Sequence, residues 1–220
     1  MRFLVLLMAQ LCAFCAVWSQ GKTNYFQGKI SYVMNYSDFK GNNINSKVAA
    51  FFDREQHLYI NEYNYKLLDQ HNNHVKLYNS ANNAYFFFNR DHTAYKIDVT
   101  SKTTQRVKVF EVDDTDTILG YVCKAVKVEA DFRAYIYFYS PEIRVNPEVY
   151  KNYNMEEWNV YIKAADGALP LRVITLDLRG KYVEDKEAGS VTPLSLASND
   201  FTFPKDVKLK RLKYGLDLIW

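Results

Sequence analysis

The chain has 220 residues, 48% of them hydrophobic, 16% aromatic and 24% charged, with a formal net charge of +3. This is the composition of one globular domain, or at most two small ones, and it excludes a disordered, collagen-like or coiled-coil chain. So small a charge gives no argument for nucleic acid as a partner.

Met1-Arg2 precedes an apolar stretch from Phe3 to Val17, in which Gln10 is the one strongly polar side chain, and residues 18–22 return to polar composition. Residues 1–19 thus have the form of a secretory signal, with the mature chain beginning at Gln20. The stretch is shorter than the ~20 residues of a membrane span. Removal of the signal takes Cys12 and Cys15 with it and leaves Cys123 alone, so no intramolecular disulfide is expected. Neither Cys12 nor Cys15 follows the Leu-small-small-Cys pattern of lipid attachment. The expectation is an exported protein of the periplasm or outer envelope, not a lipoprotein.

From Gly28 onward apolar and polar residues alternate, with many β-branched and aromatic side chains, which predicts strands. In chain order these are Lys29 to Tyr36, Lys47 to Phe52, His57 to Tyr65, His74 to Asn79, Ala84 to Asn89, Thr93 to Val99 and Arg106 to Val112. Then follow Tyr121 to Ala130, Phe132 to Ser140, Trp158 to Ala164, Leu169 to Leu178, Lys181 to Asp185 and Val191 to Ser198. Turn signals such as Lys40-Gly41-Asn42-Asn43 and Ala81-Asn82-Asn83 lie between them, predicting successive antiparallel hairpins. Asn146 can cap a short helix with Pro147 in its first turn, running towards Tyr153. The fold class expected is mainly β: a strongly curved antiparallel sheet or open half-barrel with one or two short helices. Residues 20–220 form a single β-rich domain ending in a basic, amphipathic segment, 205–220.

Along Phe132 to Tyr139 both faces are rich in apolar surface, with Arg133, Tyr135, Tyr137 and Tyr139 on one and Phe132, Ala134, Ile136 and Phe138 on the other. Ala84, Phe86 and Phe88 against Tyr85 and Phe87 show the same pattern. A sheet with one solvated face alternates more cleanly, so something covers the second face: a helix, the other half of a curved sheet, or a ligand. The rings either fill a core or line a concave cleft for an acyl chain or similar apolar molecule. For the cleft, Tyr135, Tyr137, Tyr139, Phe86 and Phe88 are the candidate ligand-binding residues, since a tyrosine ring adds apolar area and its hydroxyl can bond to a head group.

Reactive chemistry has little support. His71 and His74 lack a third metal ligand and suit a solvated turn. Asp113, Asp114 and Asp116 lack the glycine and bidentate glutamate of a helix-loop-helix calcium site. Cys123 sits in a strand-like run and reads as a buried thiol. Adjacent Glu156 and Glu157 would point to opposite faces of a strand, a poor general acid and base pair. No nucleophile elbow, dinucleotide fingerprint, phosphate loop or zinc motif is present, so neither catalysis nor a cofactor is expected. In the tail, Lys208, Lys210, Arg211, Lys213 and Trp220 are candidates for contact with an anionic membrane surface or a partner, against the alternative of a final strand with a solvated lysine face.

Three stretches carry a family resemblance. Ile118-Leu119-Gly120-Tyr121-Val122-Cys123-Lys124 resembles a signature of exported proteins of Gram-negative bacteria; Tyr137-Phe138-Tyr139-Ser140-Pro141-Glu142-Ile143 and Gly167-Ala168-Leu169-Pro170-Leu171 resemble two further motifs of that group. Phe201-Thr202-Phe203-Pro204 is similar to its closing motif. The group is related to the GLPGLI proteins, with residues 167–172 a partial counterpart of that string, and it resembles the periplasmic lipoprotein-carrier fold. The resemblance implies a half-barrel with short helices plugging its concave side, and a lipid or other apolar ligand. The function expected is that of a non-enzymatic envelope protein holding such a ligand; the alternative is a structural or interaction module that binds another envelope protein.

Overall fold

In the computed structural model, residues 25–101 and 106–211 are described. The expected signal segment, Lys213 and Trp220 lie outside them. The elements are β1 (Gly28–Asp38), α1 (Asn45–Val48), β2 (Glu55–Ile60), β3 (Asn64–Asp69), β4 (His74–Asn79), β5 (Ala84–Phe88) and β6 (Thr93–Asp98). They continue with β7 (Lys108–Ile118), β8 (Tyr121–Glu129), β9 (Arg133–Arg144), α2 (Trp158–Ala164), β10 (Ala168–Asp177), β11 (Tyr182–Pro193) and β12 (Lys208–Arg211). All twelve strands form one open, curved sheet in the order β12-β6-β5-β4-β3-β2-β1-β11-β10-β9-β8-β7. Two antiparallel meanders, β2 to β6 and β7 to β11, are thus joined through β1, which pairs with both β2 and β11. Only β12, lying against β6, is parallel to its neighbour.

Strand alternation sets the inner face. On β1, Ile30, Tyr32, Met34 and Tyr36 are buried while Val33 and Asn35 are exposed. The turn between β7 and β8 explains one motif: Ile118 pairs with Tyr121, and Leu119 and Gly120 both have positive φ, 53° and 83°, as a two-residue hairpin with matched twist requires.

Between β9 and β10 the chain leaves the sheet for residues 145–167 and crosses the inner face. Asn146 caps a 3-10 turn, Pro147–Tyr150, its side chain accepting from Glu148 N, as the sequence predicts. A second 3-10 turn, Met155–Glu157, leads into α2. Trp158–Ala164 is therefore a helix rather than the expected strand: Tyr161, Ile162 and Ala165 are buried at helical spacing, and that period outweighs the β-branched content. At its end Gly167 has φ 81° and donates to Ile162 O at 2.8 Å, and any Cβ there would collide with the Val145 carbonyl oxygen.

Other boundaries also differ from expectation. Lys47 to Phe52 is not a strand; it begins within α1 and turns back through bonds to the Val48 carbonyl. His57 to Tyr65 is two strands, because Asn61 Oδ1 accepts from Tyr63 N and Asn64 N and closes a tight turn between them. Lys181 to Asp185 and Val191 to Ser198 are not two strands: β11 takes in most of the first and only residues 191–193 of the second, and its register against β1 shifts between Ser31 and Tyr32 so that Gly189 is left unpaired.

Two apolar clusters result. The larger lies between the inner face and the crossover and includes Ile30, Tyr32, Tyr78, Tyr85, Tyr137, Tyr150, Tyr153, Tyr161 and Leu171. The smaller, Leu77, Phe88, Ala94 and Phe201, lies on the other face, where the chain from Leu196 to Val207 folds back over β4 to β6.

Candidate functional site

The crossover does not fill the inner face. Tyr161 stacks on Tyr137 with ring centroids 3.9 Å apart, its hydroxyl donating to Ala168 O at 2.8 Å, and Tyr153 meets Tyr78 edge-on at 4.9 Å. Tyr65 and Tyr153 share a short hydroxyl to hydroxyl bond. Each such ring pair contributes about 0.5–1.5 kcal/mol beyond the area it buries, so this end of the crossover is firmly seated. Between these anchors and the strands lies a cavity of about 290 Å³.

The wall of the cavity is graded. Tyr32, Leu58, Ile60, Tyr65, Leu67, Tyr135, Tyr137, Tyr153, Met155, Trp158 and Val173 supply an apolar lining. Gln56, Lys76, Arg133, Glu156, Thr175, Tyr182, Glu184 and Lys186 supply polar groups. Register explains the grading: Tyr135, Thr175 and Glu184 form one row across β9, β10 and β11, while Tyr137, Val173 and Lys186 form the next.

The charged groups are paired in sequence-distant couples. Lys76 Nζ donates to both carboxylate oxygens of Glu156 at 2.6 and 2.7 Å. Arg133 Nε donates to Asp177 Oδ2 at 2.9 Å. Burial works against the Glu156 carboxylate, but Lys76, with Arg133 and Lys186 nearby, holds it below the usual carboxylate range. Glu156 is half-exposed yet walled in by protein, since it opens onto the cavity. Burial raises Glu184, partly offset by Lys186 and Lys76, while the nearby Tyr36 hydroxyl donates to Asp53 O at 3.1 Å. Burial pushes Lys186 down to about 8, against the pull of Glu184. Burial likewise raises the phenols of Tyr65, Tyr137, Tyr153 and Tyr161, which stay protonated.

Glu156 reaches the cavity at a conformational cost. It and Glu157 both have positive φ, 53° and 56°, at the kink before α2, a region that disfavours side-chain-bearing residues. The two glutamates do not alternate across a strand as expected: Glu156 lines the cavity, and Glu157 is buried.

Of the sequence-derived cleft residues, Tyr135 and Tyr137 line the cavity. Tyr139 lies beyond it, edge-on to Tyr161 at 6.3 Å. Phe86 and Phe88 are on the opposite face, 4.8 and 5.6 Å from the Phe203 ring, because alternation along β5 turns Tyr85 inward and its neighbours outward. Of the tail residues, Lys208 is exposed, and Lys210 stands 3.7 Å from Asp91 and over the Tyr95 ring. Arg211 closes β12.

Sequence reasoning missed Lys76, Arg133, Glu156, Glu184 and Lys186 as a group. On β11 inward Tyr182, Glu184 and Lys186 alternate with outward Val183, Asp185 and Glu187, so no apolar stripe marks the inner face. The one available signal was Arg133 on the tyrosine face of β9. Cys123 is fully buried, with its thiol raised by burial. Asp116 bonds to Arg172, and His71 lies in the β3 to β4 turn.

No family model matches the chain, and no curated protein matches it. Solved structures resemble it at low identity. PNGF-II, in a P21 crystal form, is 18% identical with a TM-score of 0.49, covering 88% of this chain and 33% of its own. The chain thus spans about a third of the length of that protein. An uncharacterized conserved protein from Thermus thermophilus is 9% identical with a TM-score of 0.46, covering 84% and 91%. A LolA superfamily protein from Nitrosomonas europaea is 8% identical with a TM-score of 0.37, covering 83% and 92%.

Proposed function

We propose that this is an exported, non-enzymatic envelope protein that binds a lipid or another molecule with an apolar chain in the cavity on the inner face of its half-barrel. The observation that carries this reading is the cavity itself: an unfilled space walled by tyrosines and aliphatic side chains, with polar groups gathered toward one side. Its volume is at the lower end of the ~300–1,000 Å³ of small-molecule pockets, room for one chain rather than several. Tyr135 and Tyr137 are the sequence-derived residues proposed to touch the ligand.

Uptake of a fluorescent acyl probe tests it. The mature protein is expected to bind the probe in a saturable, one-to-one manner. Val173→Trp, which places bulk in the cavity, is expected to abolish uptake while leaving a cooperative urea transition. Absence of uptake by the unmodified protein, or equal uptake by the folded variant, would overturn the reading. A second reading, an interaction module, draws on β7, an exposed edge strand carrying Val109 and Phe110, each 42% exposed.

A further inference from the structure

The charges at the cavity wall are unevenly paired. Lys76, Arg133 and Lys186 face Glu156 and Glu184. Lys76 is engaged by Glu156, and Arg133 by Asp177 from the end of β10. Glu184 stands two residues before Lys186 on the same face of β11, and its charge pulls on the ammonium without a direct ion pair. Lys186 has no ion pair among the described residues: its Nζ donates to the neutral amide oxygen of Gln56 at 2.9 Å and stands 4.6 Å from the centroid of the Tyr32 ring. An ammonium carries three donors, and one of them is used by Gln56. An ion taken out of water without a counter-ion is costly, and an anion that reaches it recovers that cost.

The position of Lys186 matters as much as its charge. It lies opposite Val173 on β10 and Met34 on β1, next to the row that holds Thr175 and Glu184. Lys186 therefore stands where the polar side of the cavity gives way to Tyr32, Leu58, Ile60 and Tyr137. A chain lying among those residues brings its head to the ammonium.

We propose that the cavity takes a single-chain amphiphile with a carboxylate head, a fatty acid in chemical class, its chain among Tyr32, Leu58, Ile60 and Tyr137 and its carboxylate on Lys186. This rests on the reading that the cavity holds an apolar chain. A carboxylate suits the site better than a phosphate monoester: among the described residues Lys186 is the one lining cation without an ion pair, and a monoester carries about 1.5 to 2 negative charges at neutral pH. Glu156 and Glu184 repel the excess. An alcohol or ester head leaves Lys186 as it is, and a cationic head is repelled by it.

Calorimetric titration at pH 7 with decanoate, decan-1-ol, decyl phosphate and decyltrimethylammonium tests the proposal. Decanoate is expected to bind about tenfold tighter than decan-1-ol, the scale of a hydrogen bond to a charged group. In Lys186→Met, checked for a cooperative urea transition, that advantage is expected to vanish. Equal binding of decanoate and decan-1-ol, tighter binding of decyl phosphate or decyltrimethylammonium, or an undiminished preference in folded Lys186→Met would each overturn the head-group assignment and leave the apolar cavity standing. Failure of all four to bind would overturn the cavity reading, and the assignment with it.

Discussion

The two faces of the sheet are apolar for different reasons. On the outer face of β4 to β6, Leu77, Phe86 and Phe88 are covered by the chain's own Leu196, Phe201, Phe203 and Val207, ring against ring, and the cluster closes on itself. On the inner face the 145–167 crossover is anchored by Tyr150, Tyr153 and Tyr161 but leaves space, and charged side chains gather around that space. Ionisable groups reach the filled face only one at a time, His74 against the Phe88 ring at 5.2 Å and Lys66 over the Phe201 ring, rather than as a group around a space. Charged side chains gathered around a space are costly to retain there, and the proposed site rests on that contrast with the filled face.

The sharpest way to separate the faces is to damage the filled one. Phe201 is 2% exposed and lines no part of the cavity. Phe201→Ala is expected to lower stability in urea by about 3–5 kcal/mol, the usual result of emptying a buried phenylalanine site. Decanoate affinity, read by calorimetry well below the transition, is expected to stay within about twofold of the original, since distant sites act nearly independently. A large loss of affinity in the folded variant would show that the two faces act as one unit.

A smaller effect probes the inner face. With Lys186 titrating at about 8, its charge is present at neutral pH and lost as pH rises through that value. Glu184, Glu156, Asp53 and Lys76 act on it electrostatically, and the Tyr32 ring stacks below it. Decanoate stays ionised throughout this range, so its affinity is expected to fall between pH 7 and 9.5 while that of decan-1-ol stays level. Binding near pH 8 should take up protons, visible as a buffer-dependent heat. The stability of the empty protein moves the other way: the folded pKa lies below the unfolded value of 10.5, so the unfolded chain holds more protons between them, and this group's contribution rises with pH from about 8 to 10.5. A decanoate affinity flat from pH 7 to 9.5 would contradict the role given to Lys186.

The same contrast governs what the sequence made legible. Short strands bounded by turn residues were readable, and His74 to Asn79, between two asparagine-rich turns, coincides with β4. The two-sided apolar pattern at Phe86 implied two covered faces, and both are covered there, by Phe203 outside and the crossover inside; just before β9 the outer Phe132 stays 48% exposed. Which cover belonged to which side depended on pairing between residues over a hundred positions apart, as with Phe86 and Phe203. The helix at Trp158–Ala164 was hidden by its aromatic and β-branched content, since seven residues give too short a window to tell the two periods apart. The charged group was illegible for a further reason: Lys76 and Glu156 are eighty residues apart, and only the crossover brings them together.

The smallest effect tests what holds Glu156 in the cavity. Its backbone has φ 53° and ψ 31°, left-handed, and Glu157 follows in the same region. Glu156→Ala and Glu156→Gly both remove the carboxylate from Lys76, so they share that loss. They differ in one respect, because glycine adopts the left-handed region freely and alanine does not. If the kink is kept, the glycine variant should be the more stable of the two by about 1 kcal/mol in urea, the scale of one left-handed residue. In an unconstrained loop alanine would be the better residue, because glycine leaves the unfolded chain more entropy to lose. A more stable alanine variant would therefore mean that the kink relaxes once Lys76 is released, and that the ion pair, rather than the packing of Met155 and Trp158, sets the shape of the cavity wall.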